Sequence, residues 1–284
     1  MNHKILLAIL ILLLIAISSI GVFAAGLYRF NWDNEASRIF TRYVPLPVAV
    51  VGKQVVAFGD FFARRDAYEH LTDQAAGSEQ QAILRDLIQD KMIDQMLKQK
   101  GIRVSQNEID AQFNYLMRKY QASGSPDDEI RSLFAWSVDE FKKYLVVPEV
   151  KKAKLATWLA SEHKDAVARV NEAKAAIASS DFISAAKEKS DDVTSKYIGG
   201  DLGLRTEAEL EPWLAAAVKN LQVKEISEPI PAPDGFHIIQ VANRIDREIP
   251  VRVQISHILI KGPDVEEYVT AQEKDFRILI FSKL

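Results

Sequence analysis

Two β-rich runs late in the chain place the tightest limit on what it can fold into. Phe236-His237-Ile238-Ile239-Gln240-Val241 and the run from Val251 to Ile260 are joined by a charged connection centred on Asp246 and Arg247, and they read as an antiparallel hairpin. With the turn centred on Arg247, His237 faces His257, Ile239 faces Ile255 and Val241 faces Val253. Strand side chains alternate between faces, so any even slip of register keeps both histidines together and a slip of one separates them. Two imidazoles on an apolar strand face are either a hydrogen-bonded pair in the core, as buried polar groups require, or a polar patch on the floor of a substrate groove.

The rest of the chain is large enough to build around such a hairpin. Its 284 residues, 48% of them hydrophobic, can bury a substantial core and suit about two domains. The 36 basic and 39 acidic residues are mixed along the chain, so no basic stripe points to nucleic acid. There is no cysteine, which excludes disulfides, thiol nucleophiles and cysteine metal sites.

Ile5 to Leu27 is an almost unbroken apolar run of 23 residues, and a hydrocarbon core needs about 20. Residues 1–28 therefore read as a transmembrane anchor. A cleaved signal peptide is the competing reading, with Val22-Phe23-Ala24 as the cleavage site, but the run exceeds the ~7 to 15 residues of an h-region. Cations flank both sides, and long following domains are exported largely regardless of them, so the bulk of the chain is placed outside.

Residues 29–45 read as a juxtamembrane spacer with weak helical character, ending at Pro45 and Pro47. A short hairpin around Gly52-Lys53 follows, and Asp60 is positioned to cap a helix running to about Gln74. Ser78 with Gln81, Ser105 with Glu108 and Ser137 with Glu140 each have the spacing of a capping box. Ile83, Leu84, Leu87, Ile88, Met92, Ile93, Met96 and Leu97 form one apolar stripe that stops at Gly101. Residues 46–160 thus read as a helical domain.

Beyond Pro148, which should bend the last long helix, the alanine-rich stretch from Glu162 to Ser179 continues as helix and Asp181 opens another. Gly199-Gly200-Asp201-Leu202-Gly203 allows positive φ and close backbone approach, and its spacing fits neither GxGxxG nor GxxxxGK[ST]. Thr206 and Glu209 form a further capping box, opening a helix with Leu210, Trp213, Leu214, Ala217 and Leu221 on one side. Ile226 to Ile230 can make a strand that Pro229, Pro231 and Pro233 confine to an edge.

In order, Ser190-Asp191-Asp192, Gly199-Gly200-Asp201-Leu202-Gly203, Glu225-Ile226-Ser227 and Gly235-Phe236-His237-Ile238-Ile239 resemble the body of a parvulin-type peptidyl-prolyl isomerase. The preceding region, with Val51-Gly52 leading into a helix and Leu87-Ile88 leading to Gly101-Ile102-Arg103-Val104-Ser105, is similar to the amino-terminal chaperone domain of the SurA and PrsA foldases. The resemblance implies an α+β chain: a helical chaperone domain, then residues 161–263 as a four-stranded antiparallel sheet with helices on it, rotating X-Pro bonds without a cofactor. A parvulin domain opens with a histidine-bearing strand, whereas residues 150–155 read as helix, and the matching strand, Ser256-His257-Ile258-Leu259-Ile260, comes after the domain. Either a second parvulin domain begins there and is cut short, or the domain is circularly permuted. Permutation is the favoured reading, because family topology sets the opening and closing strands side by side and antiparallel.

Carried over by resemblance, the facing histidines fall on His237 and His257, and the family's Cys or Asp position falls on Asp192. The proline-binding positions, usually Met and Phe, fall on Leu210 and Leu214, where an aromatic wall is lost that Trp213 or Phe236 would have to replace. The plain alternative makes Leu210 and Leu214 helix-to-sheet core. The histidine pair lacks a third metal ligand, and no serine sits in a nucleophile turn. Two functional classes remain. One is a membrane-anchored isomerase acting on unfolded, proline-containing exported polypeptides in the periplasm or at the cell surface. The other is a holdase or scaffold with the parvulin shape and no turnover. Residues 264–284 read as a helix whose stripe of Val265, Tyr268, Val269, Phe276, Leu279 and Ile280 must be buried, and the resemblance implies that this tail returns to complete the 46–160 domain.

Overall fold

The computed structural model describes residues 3–74, 77, 79–119, 124–247 and 250–282, and of Lys4 the backbone alone. The chain divides into two compact units, one made of residues 1–92, 133–135 and 272–284, the other of 93–132 and 136–271.

The first unit opens with α1 (His3–Phe30), whose stretch Ile5–Phe30 has mean hydropathy 3.1 and is long and apolar enough to cross a membrane. Where the sequence reads as a spacer with weak helical character, α2 (Glu35–Tyr43) forms, opened by a capping box between Asn34 and Ser37. Strands β1 (Pro47–Val51) and β2 (Gln54–Ala57) make the expected hairpin around Gly52-Lys53. The next helix, α3 (Phe58–Thr72), begins two residues before Asp60, so Asp60 lies in the first turn rather than at the cap, which Ala57 occupies without a side-chain bond. Phe58, Phe61 and Phe62 of α3 are buried, as are Val48 and Val56 of the hairpin. The long stripe predicted from 83 to 97 lies on α4 (Glu79–Gln99), and all eight of its apolar residues are buried. The capping box that would open α4 needs Ser78, which lies outside the described residues.

In the second unit, the Ser105–Glu108 and Ser137–Glu140 boxes form as expected, opening α5 (Gln106–Lys119) and α7 (Val138–Phe141), with α6 (Pro126–Phe134) between them. Pro148 has no N–H to give. The helix widens into a π-turn over Lys142–Val146 just ahead of it, Val147 N–H bonding the Lys142 carbonyl, and then continues as α8 (Val147–Glu162). His163 ends α8 and caps α9 (Lys164–Ser179), so the alanine-rich stretch is a separate helix; Asp181 caps α10 (Phe182–Lys189) through the Ser184 N–H.

The sheet of this unit has the order β3-β6-β5-β4, antiparallel throughout, with β3 (Asp201–Thr206), β4 (Ile230–Ala232), β5 (Gly235–Ile245) and β6 (Arg252–Lys261). The strand of this sheet that comes last in the sequence therefore sits in its middle, between β3 and β5. Alternation divides β5 and β6 between two cores. Phe236, Ile238, Ile258 and Ile260 pack under α9 and α10 against Val170, Phe182 and small alanines. Ile239, Val241, Val253 and Ile255 pack on the other face against Leu210 and the short helix α11 (Pro212–Lys219). The Thr206–Glu209 box does not open one long helix: it closes a single 3₁₀ turn over Glu207–Glu209, Leu210 is extended, and Pro212 starts α11.

The tail differs from its predicted form. Only α12 (Val265–Gln272) is helical, and after a 3₁₀ turn the chain runs out as β7 (Ile278–Ile280), which pairs antiparallel with β1, Ile280 opposite Ala49. Pairing gives the open β1 edge its main-chain hydrogen bonds, while Leu279 and Ile280 stay 41% and 57% exposed, so this end of the apolar stripe is not buried as the sequence leads one to expect. Tyr268, on α12, lies with its ring 6.4 Å from that of Trp158 on α8.

Candidate functional site

The site is built from the middle of the sheet outward. In the observed register Ile239 faces His257 and His237 faces Leu259, two residues off the pairing read from the sequence. On the turn side Arg244 faces Val253, three residues off that pairing, and a β-bulge between Val241 and Asn243 takes one residue back, leaving two. The slip is even, so both histidines stay on one face as diagonal neighbours. Their Nδ1 atoms lie 3.1 Å apart, and the rings are nearly buried, at 3% and 8% exposure.

Each ring is held at its far end by a carboxylate. His237 Nε2 is 2.8 Å from Asp234 Oδ1, and His257 Nε2 is 2.9 Å from Asp192 Oδ2 and 3.1 Å from Ser195 Oγ. Three contacts, one between the rings and one from each ring to a carboxylate, require three N–H protons. Two neutral imidazoles supply two, so the tautomers of the pair decide which contact carries which proton. Burial pushes the His257 pKa below its ordinary value, with His237 adding to the depression and Asp192 opposing it.

The loop from Ser190 to Gly200 places Asp192. Ser190 is buried and its Oγ accepts the Leu259 and Asp192 N–H groups, fixing the loop along the free part of the β6 edge. Asp191 accepts from Lys261 N–H and pairs with Arg169 at 2.6 Å. Gly200 then lies so close to β6 that a Cβ on it would come within 2.0 Å of the His257 carbonyl oxygen; it has φ +79° and accepts the His257 N–H at 2.9 Å. Burial alone would raise the Asp192 pKa, but donors from Ser195, His257 and the Thr194 N–H outweigh it and hold the carboxyl well below the usual range. Asp234 follows the same pattern: burial raises it, and the His237 bond wins. Ser195 gives its proton to Asp192 at 2.5 Å, whereas a hydrolase serine gives its proton to the imidazole.

The structure brings together His237, His257 and Asp192, and sets the Trp213 ring 4.5 Å from that of His237, its Nε1–H donating to Glu211 at 2.7 Å. Leu210 is core, 5% exposed among Ile239, Val241, Val253 and Ile255, with Leu214 packed against the same cluster. Phe236 lies on the opposite face of the sheet, under α9 and α10, and lines no surface shared with the histidines. Ser195 and Asp234 complete the hydrogen-bonded chain and were not singled out from the sequence. Their signals are slight: a serine three residues after Asp192, and an Asp-Gly turn just ahead of the histidine strand.

A four-stranded antiparallel sheet with this histidine couple on one face and helices on both is the arrangement that the resemblance to parvulin-type peptidyl-prolyl isomerases implies. Residues 151–243 match the family described as the PPIC-type PPIase domain, or rotamase, a span that stops short of β6 and His257. The chain is similar to the foldase protein PrsA of Halalkalibacterium halodurans, 25% identical over 213 residues, covering 64% of this chain and 63% of that protein. A chaperone SurA of Albidiferax ferrireducens is 30% identical over 195 residues, covering 64% of this chain and 38% of the relative. This chain thus spans less than two thirds of either. The crystal structure of PrsA from Bacillus anthracis aligns over 68% of this chain and 86% of its own, at 20% identity and a TM-score of 0.23.

Proposed function

We propose that this protein is a membrane-anchored peptidyl-prolyl cis–trans isomerase and foldase that acts outside the cytoplasm on unfolded, proline-containing exported polypeptides. The observation that carries the reading is the His237–His257 couple, clamped by Asp234 and Asp192 and faced by Trp213. The foldase and chaperone names of its relatives and the long apolar α1 support the setting.

Rotation about an X-Pro bond is slow because amide conjugation sets a barrier of ~18 to 20 kcal/mol, with uncatalysed times of ~10 to 100 s. No bond need form with the protein. A site that binds the twisted amide better than either planar form lowers the barrier by that difference. Here the work divides between an apolar wall and a polar floor. Trp213 offers a flat surface to a prolyl ring. The histidine couple, held by Asp234 and Asp192, keeps fixed ring directions beside the bond, and because its polar groups are already aligned it needs no reorganisation as the amide twists. A second reading, a holdase without turnover, draws on the burial of Leu210 in the core, which leaves one proline-pocket position without a free side chain.

Isomerisation of a set of Xaa-Pro peptides by the full chain, compared with His237→Gln and His257→Gln, tests the proposal. A rate above background that falls at least tenfold in both variants is expected. No turnover by the wild type, together with suppression of client aggregation, would hand the protein to the second reading.

A further inference from the structure

The corner between α1 and α2 is folded inside out for a protein in water. On α2 the residues turned inward are hydroxyls: Ser37 is 0% exposed and Thr41 3%. Their needs are met locally, Ser37 Oγ donating to the Asn34 carbonyl at 2.8 Å and Thr41 Oγ1 to the Ser37 carbonyl at 2.9 Å. The large apolar side chains face out, with Ile39 47% exposed and Tyr43, one turn on, 83%. Phe30, the last residue of α1, is 67% exposed. A helix on a water-facing surface shows the reverse arrangement. Arg29 and Arg42 are exposed as well and have no ion pair among the described residues, while Arg38 is engaged by Asp33 and Asp66. Glu35 shares the outer face, one turn before Ile39 and at the end away from Tyr43.

This face has a fixed orientation to the apolar helix. Phe40 of α2 stacks on Phe23 of α1 with ring centroids 4.1 Å apart and planes 11° apart. Trp32 N–H bonds the Gly26 carbonyl at 2.9 Å, and its ring lies so flat on Gly26 that a Cβ there would come within 2.2 Å. Leu27 is buried, and the Tyr28 hydroxyl donates to the Pro47 carbonyl at 2.8 Å. Length agrees with this placement. The 26 residues Ile5–Phe30 span about 39 Å as a helix, and a hydrocarbon core is about 30 Å thick. The surplus sets the last turn and a half of α1, with α2 folded beside it, at the depth of the lipid headgroups.

We propose that the outer face of α2, with Arg29 and Phe30, is a lipid-surface site that takes anionic phospholipid, Phe30, Ile39 and Tyr43 entering the interface and Arg29 and Arg42 engaging headgroup phosphates. The inference rests on the reading of α1 as a membrane span. It makes the anchor a rigid mount: the first unit is held against the bilayer in one orientation, with no free tether between span and fold.

The test uses the full chain in nanodiscs of phosphatidylcholine alone or phosphatidylcholine doped with phosphatidylglycerol, with hydrogen exchange read over residues 35–43. Exchange is expected to be slower with phosphatidylglycerol, by about fivefold for each engaged arginine. The double variant Arg29→Gln/Arg42→Gln should erase the difference between the lipids. Ile39→Ser/Tyr43→Ser should speed exchange in both lipids and leave α3 protected, which shows that the unit is still folded. Equal exchange in the two lipids, unmoved by Ile39→Ser/Tyr43→Ser, overturns the site while α1 still floats the chain with vesicles. A full chain that does not float with vesicles overturns the span reading, and the site with it.

Discussion

Two glycines, one just before β3 and one within it, share nearly the same backbone angle and differ in what surrounds them, so substituting each with alanine separates strain from collision. Gly200 has φ +79° and Gly203 φ +78°. Placing an L-residue there costs about 1–2 kcal/mol in either case. At Gly203 nothing lies within 4 Å of the new Cβ, and the cost should end there. At Gly200 the Cβ would stand 2.0 Å from the His257 carbonyl oxygen, so the loop and β6 must part by more than an ångström. That movement breaks the bond from His257 N–H to the Gly200 carbonyl and strains the one from Gly200 N–H to Ser195, both 2.9 Å. At about 0.5–1.5 kcal/mol each, they add roughly 1–3 kcal/mol. Gly200→Ala should therefore be the less stable of the two by about 2 kcal/mol, which corresponds to a melting point lower by roughly 4–8 °C for a unit of this size. Because Ser195 and His257 move apart, the imidazole NMR resonances should shift in Gly200→Ala and stay in place in Gly203→Ala. Equal melting points for the two variants would refute the reasoning.

Further expectations concern charge and chain ends. Asp192 has its pKa depressed in the fold, so its contribution is full above the ordinary carboxylate value near pH 4 and is lost as pH falls through the folded value. The stability gap between wild type and Asp192→Asn should accordingly close in acid, and a gap that persists there would count against the hydrogen-bonded carboxylate. His257 is also depressed, so the unfolded chain takes up its proton first and stability should decline as pH drops from about 6.5. Urea titrations at several pH values should show that slope flattened in His257→Phe. Stopping the chain after Asp275 removes β7, and amide exchange over 47–57 should rise while β5 stays protected; unchanged exchange in the hairpin would show that β7 contributes nothing there.

What the sequence made plain was whatever rests on short-range chemistry. The Ser105 and Ser137 capping boxes, the Asp181 cap, the turn at Gly52-Lys53 and the apolar stripe of α4 each depend on residues a few positions apart, and each formed. The histidine pairing survived an odd error of register at the turn because the bulge between Val241 and Asn243 takes one residue back. Parity also places Phe236 on the face of β5 opposite His237, away from the site. The features that escaped depend on distant partners. A bulge at Val241 sets the register, β1 offers Ile278–Ile280 an edge that turns a helical stripe into a strand, and Phe23 gives Phe40 of α2 a ring to stack on. Asp234 and Ser195 acquire meaning only once the two imidazoles are side by side.

The pairing of β7 with β1 fixes the order in which a newly made chain can finish folding. Ala49 waits for Ile280, so about 230 residues must be synthesised before the three-stranded sheet can close. The whole second unit lies in that interval, as an insertion within the first. Closing so long a loop costs only about 3 kcal/mol more than closing a ten-residue one, because the entropy grows with the logarithm of length. A second unit that folds first shortens the effective loop and lowers the cost further. The parvulin sheet has the same dependence on a smaller scale, since its central strand β6 emerges after β3, β4 and β5. During synthesis the four-stranded sheet is therefore without its middle strand until late, and the amino-terminal hairpin stays open at one edge for longer still.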